Sequence, residues 1–178
     1  MPDDTLFSEA DKNALATPAQ IETQARRLLN APAAKPRLRQ WLTSYAGLGR
    51  FAELTKDADV YPTFTPELRA AMKEETERFV DAVLWERDGT WKTLMTSSDS
   101  FVNAPLAKLY GVSAPASGFA KVTLDAKQRS GLLTQASVLA AHSKANESFP
   151  ILRGKFIRVG MLCQSLPAPP KVVPPAPK

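Results

Sequence analysis

The sequence predicts an all-α fold, an irregular multi-helix bundle followed by an extended proline-rich C-terminal tail. Three observations lead there. Helix starts are written as Thr17-Pro18, Thr65-Pro66 and Asn103-Ala104-Pro105. Apolar residues recur at helical spacing after each start. Six of the fifteen prolines fall in residues 165–178, where they favour polyproline II over packed structure. The chain has 178 residues, 44% hydrophobic and 23% charged, a globular balance that excludes wholesale disorder and a coiled-coil rod. No apolar run approaches the ~20 residues of a membrane span, and Met1-Pro2-Asp3-Asp4 lacks the basic and apolar regions of a signal peptide.

The first expected helix starts at Thr17, with Gln20 completing a capping box, and runs to about Asn30 with Ile21, Ala25, Leu28 and Leu29 on one face. Pro32 and Pro36 interrupt it. A second helix follows through Leu38, Trp41, Leu42, Tyr45 and Leu48 to Gly47 or Gly49, making a hairpin with the first. Residues 50–64 read as a loop, because Tyr61-Pro62 disfavours helix at Tyr61. The clearest helix runs from Thr65 to Asp88-Gly89, with Leu68, Met72, Phe79, Val83 and Leu84 inward, while Glu67, Glu74, Glu75, Glu77 and Asp81 read as a solvated acidic face. Short helices are expected over Trp91 to Met95 and from Asn103 to Gly111. Val122-Thr123-Leu124 suggests a brief extended piece, and Asp125 a new helical start. A largely buried helix spans Gly131 to about Ala141, and Pro150 opens a last helix carrying Ile151, Leu152, Phe156, Ile157, Met161 and Leu162. The organisation expected is a helical domain over 1–112, a linker at 113–118, a second helical region over 119–164, and a tail from 165.

Charge is uneven. Residues 1–117 hold 14 basic and 16 acidic side chains, residues 118–178 nine and two. Such a basic third can contact an acidic partner, yet its cations are spread out and carry few interleaved aromatics, so it lacks a nucleic-acid signature. One cysteine, Cys163, forbids an internal disulfide, and one histidine, His142, cannot supply a structural zinc site. His142 lies near Ser143, Ser148 and Arg153, which invites a general base or a haem ligand, but the favoured reading is a helix-end histidine bonding the last carbonyls. Cys163 could pair with His142 as nucleophile and base, though Met161 and Leu162 beside it suit a small apolar residue. His142, Arg153 and Cys163 are the candidate site residues. They do not make an active site on their own, and no phosphate loop, dinucleotide fingerprint or haem attachment motif is written in the chain.

Two stretches resemble known domains. Tyr61 to Val80, continuing through Trp85 to Phe101-Val102-Asn103-Ala104-Pro105 and on to Val112, resembles an uncharacterised domain of large secreted bacterial proteins, the planctomycete-type cytochrome c multidomain group. Arg129 to Ala140, Pro150 to Arg158 and Leu162 to Pro170 resemble the domain that usually follows it, with Phe149 standing where that family tends to have a small polar residue. The resemblance implies a proline stretch followed by a Cys-x-x-Cys-His element able to hold haem, so that this chain is a piece cut at both ends from a longer protein. It also implies an extracytoplasmic setting. Three functions are then open. The chain is a non-catalytic helical module positioning a haem-bearing or substrate-binding part of the same polypeptide or a partner domain. Alternatively it belongs to an oxidoreductase or hydrolase completed by missing segments, or it is a free-standing adaptor for an acidic partner.

Overall fold

The computed structural model describes residues 2–167. In chain order its elements are α1 (Asp4–Asp11), α2 (Pro18–Leu29), α3 (Ala34–Tyr45), α4 (Pro66–Asp81), α5 (Trp91–Thr96), β1 (Asp99–Val102), α6 (Ala104–Tyr110), β2 (Ala120–Thr123), α7 (Ala136–Ala141) and α8 (Pro150–Lys155). Both α4 and α8 run on into a widened π turn, over Ala82–Glu86 and Phe156–Met161. The proline-rich expectation for 165–178 lies, beyond Pro167, outside the described residues.

The fold is mostly helical but not purely so, which corrects the all-α expectation. β1 and β2 pair antiparallel, with Asp99 opposite Thr123 and Val102 opposite Ala120. Four residues between Ser97-Ser98 and the Asn103 cap are too few for a stable helix. In strand form they alternate, so that Ser100 and Val102 are fully buried while Asp99 and Phe101 stay part-exposed. Asp99 anchors the ribbon's outer end between Arg87 (2.8 Å) and Lys121 (3.0 Å). Ion pairing and hydrogen bonding there outweigh partial burial and lower its pKa.

Capping chemistry sets the helix starts. Thr17 Oγ accepts from the Gln20 amide at 3.3 Å while Gln20 Oε1 accepts from the Thr17 amide at 2.9 Å, the reciprocal box. Thr65 and Asn103 cap α4 and α6 in the same way, each followed by proline in the first turn. The N-terminal helix α1 was not anticipated. Its cap Asp3 accepts from the Leu6 amide at 2.9 Å and both carboxylate oxygens are held at 2.7 Å by Arg27 of α2, which keeps Asp3 well below the usual carboxylate range. α2 buries no residue, and Ile21 and Leu29 stay about half exposed. On α3 only Leu42 is buried; Trp41 lies outside, stacked on Tyr45 at 5.8 Å.

The core is built on α4. Leu68, Ala71, Met72, Phe79 and Val80 of that helix pack with Leu42 and Phe51, with Leu94, Val102 and Leu106, and with Leu132, Ala136 and Val138, so one core draws on residues either side of 113–118. Two expectations after β2 are corrected. Asp125 does not start a helix: its Oδ1 accepts from the Lys127 amide at 2.9 Å and closes a turn. The buried α-helix begins only at Ala136, after a 3-10 turn over Leu132–Thr134, because polar bonds compete with α-helix across 129–134. Arg129 donates to the Thr134 carbonyl (2.9 Å), Thr134 Oγ accepts from the Ser130 amide (2.7 Å), and the Gly131 amide donates to the Ser97 carbonyl (2.7 Å).

Gly131 has φ +67, and a Cβ there would lie 2.2 Å from the Met95 carbonyl group. Gly118 has φ +60 with nothing within 4 Å. Gly131→Ala is therefore expected to cost about 3 kcal/mol or more, since backbone must move as well as strain, and Gly118→Ala only about 1 kcal/mol. Urea unfolding of the two variants checks this; equal losses would mean that the close approach carries no weight.

Candidate functional site

Glu75 is the buried charged residue among those described, at 0% exposure in the middle of α4. Its spacing places it with the core stripe, four residues after Ala71 and four before Phe79. The carboxylate is met from two other elements. Ser100 Oγ of β1 donates to Oε1 through a short bond, and the Tyr110 hydroxyl at the end of α6 reaches Oε1 at 2.7 Å and Oε2 at 2.9 Å. The same hydroxyl accepts from the Ala136 amide at 3.2 Å, so its own proton is committed to Glu75. Next along α4, Thr76 Oγ lies 2.5 Å from Ser137 Oγ of α7, both fully buried. One polar network thus joins α4, β1, α6 and α7.

Burial pushes Glu75 up to about 7, against the opposing pull of the Ser100 and Tyr110 hydrogen bonds and the Arg129 charge. Burial, then the Glu75 charge, raises Tyr110 above the ordinary tyrosine range. Arg129 sits with its guanidinium 5.0 Å from the Tyr110 ring centroid, and so brings positive potential to the network from outside it. Chemically the arrangement holds a proton near neutrality in a closed place. The reading of Glu75 as part of a solvated face is corrected here; its spacing with Ala71 and Phe79 was the signal that it shares the core face.

The three sequence candidates lie on different elements. His142 ends α7, where Nε2 donates to the Ala46 carbonyl at the C-terminal end of α3 (3.0 Å), and its ring stacks on Phe156 with centroids 4.1 Å apart. Gly47 permits this approach, because a Cβ at its φ of +85 would stand 2.6 Å from Nε2. Arg153 of α8 donates to Ser148 Oγ at 3.1 Å and borders an apolar cleft. Cys163 is exposed, with φ +53, after the second π turn. Among the described residues no hydrogen bond joins any two of the three. The residues present do not fit a c-type haem, whose covalent attachment takes two cysteines and a histidine in one short motif, whereas Cys163 is single and precedes Gln164-Ser165.

Because the folded pKa of Glu75 is raised from 4.5 to about 7, the folded chain holds this proton more tightly than the unfolded one. Its contribution to stability is complete below pH 4.5 and is lost as pH rises to 7, by about 3 kcal/mol. Glu75→Gln should remove that slope, read from denaturant midpoints across the window; a slope unchanged in the variant would assign it elsewhere. His142→Ala should cost about 1–2 kcal/mol through the lost carbonyl bond and stacking. A double-mutant cycle with Phe156→Ala should show coupling of about 0.5–1.5 kcal/mol, and zero coupling would refute the stack as a stabilising contact.

Comparison with known proteins places the chain. Residues 129–178 match the family described as PSCyt3, protein of unknown function (DUF1588). Neither the curated proteins nor the solved structures contain a significant match. Residues 1–112, well over half the chain, match the family described as PSD4, protein of unknown function (DUF1592), and the protein belongs to that family.

Proposed function

We infer that this chain serves as a non-catalytic helical module of a larger exported, cytochrome c-associated protein, and that it positions a haem-bearing or substrate-binding part of the same polypeptide. The reading rests chiefly on one observation. The regions matched by two families of unknown function contribute to a single core, Leu132, Ala136 and Val138 of the second lying against α4 of the first. A core shared between the two matched regions suits a platform. The designation PSCyt3 of the second family hints at a cytochrome c setting and supports this reading. No helix among the described residues is long and apolar enough to cross a membrane.

The surface that would carry the attached part is at α8 and its π turn. Ile151 is 76% exposed, and Ile157, Val159 and Leu162 are also exposed, an apolar set of the kind that becomes covered in an assembly. Phe156 between them stacks on His142, which in turn bonds the Ala46 carbonyl at the end of α3, and so links this face to α3.

Capture of the protein from its native source, followed by intact mass, terminal peptides and an absorption spectrum, tests the reading. The expected result is a polypeptide much heavier than 19.4 kDa with a haem spectrum. A haem-free species of 19.4 kDa would overturn it.

A further inference from the structure

Beside α4 the surface opens into an apolar cleft of about 250 Å³ between the loop before α4, the end of α6 and the loop after α7. Leu68, Met72 and Leu139 line it with Phe64 and Leu109. Leu68 and Met72 are core residues, so the cleft reaches the edge of the main core. It adjoins a second hollow of about 530 Å³ that shares Leu68 and Leu109 and extends to Lys108. An apolar recess with a few convergent polar groups is the usual form of a small-molecule site.

Two cations stand at this cleft. Lys56 Nζ lies 2.9 Å from the Ala140 carbonyl, 3.3 Å and 2.7 Å from the Ser143 carbonyl and hydroxyl, and 2.7 Å from the Lys144 carbonyl. Its three protons are thereby fully engaged, and burial lowers its pKa from the usual lysine value. Arg153 gives a single bond, to Ser148 Oγ. Neither cation enters an ion pair among the described residues. Of the acids nearest in sequence, Glu147 pairs with Lys144, and Asp57, whose Oδ1 accepts from the Asp59 amide at 3.0 Å, forms no ion pair with either cation. An apolar cleft flanked by two cations outside any ion pair, one of them with a single hydrogen bond, is complementary to an apolar body with one anionic end.

We propose that this cleft binds a medium-chain fatty acid, its alkyl chain against Leu68, Met72 and Leu139 and its carboxylate on the Arg153 guanidinium. Arg153 supplies the contact because its planar fork can meet a carboxylate with two parallel bonds. Lys56, already saturated, adds positive potential and ties the loop after α7 to residue 56. The Asp57 amide, which donates to the Ala145 carbonyl at 2.9 Å, strengthens that tie. A neutral apolar ligand would leave the Arg153 guanidinium without a counter-ion, and a bare inorganic anion would leave the apolar floor unused. The adjoining hollow gives longer chains somewhere to go, so affinity should rise by at most roughly fourfold per added methylene.

Titration calorimetry on the whole chain with octanoate, 1-octanol and sodium sulfate decides the matter. Octanoate is expected to bind saturably and at least about tenfold more tightly than 1-octanol, with sulfate silent. Arg153→Gln should weaken octanoate about tenfold or more and leave 1-octanol unchanged. Ala140→Phe, which fills the cleft from α7, should abolish both. Melting curves of each variant verify that the fold persists; were Arg153→Gln to unfold, Arg153→Lys keeps the charge, loses the fork, and should weaken octanoate by less. Absence of saturation at ~10 mM octanoate, equal affinity for 1-octanol, or octanoate binding unaffected in the folded Arg153 and Ala140 variants would each overturn the proposal.

Discussion

A carboxylate at zero exposure has to be answered by its surroundings, and the packing around Glu75 is shaped by that requirement. Taking an ionised carboxyl from water into a protein interior costs several kcal/mol unless donors meet it. The donors come from β1 and α6, elements distant from α4 in sequence: Ser100 is 25 residues away and Tyr110 is 35. Each helps dictate its element's position. Ser100 must face inward, which sets the strand's alternation and with it the register to β2. Tyr110 must end α6 with its hydroxyl under α4, and Gly111 in the left-handed conformation, φ 67, lets the chain leave at once.

The second half of the chain is bound to the same centre by weaker but complementary bonds. The Ala136 amide, free because it opens α7, is satisfied by the Tyr110 hydroxyl, and the Thr76 to Ser137 pair repeats the pattern one residue along. At the other end of α7, His142 satisfies a carbonyl at the end of α3. A six-residue helix is too short to persist by itself. α7 exists because both its ends are held by other parts of the molecule.

Features written locally were legible in the sequence. The Thr17 box, the Thr65-Pro66 start and the Asn103 cap depend on residues within one turn, and each appears in the structure. Features decided by distant partners were not. Glu74 and Glu75 are chemically alike, and only their spacing relative to Ala71 and Phe79 separates the one paired with Arg78 at the surface from the one buried. β1 was missed because four residues carry little periodicity and its partner β2 lies beyond α6. Of the candidate residues, His142 was legible as a helix-end group, but the carbonyl it meets belongs to a helix 96 residues earlier. The charged cleft was hidden for the same reason: Lys56 and Arg153 are brought together by the path of the loop after α7.

The bond from His142 to Ala46 also bears on how the chain is made. A polypeptide emerges from its N-terminus and domains generally fold as units. Here α4 is covered in part by Leu42 and Phe51 before it and by Leu94, Val102 and Leu106 after it, while Leu132, Ala136, Val138 and the His142 bond to α3 arrive last. The first family segment therefore leaves part of α4 uncovered until the second is made, and over that interval its order rests on its own capped helices and the core it already holds.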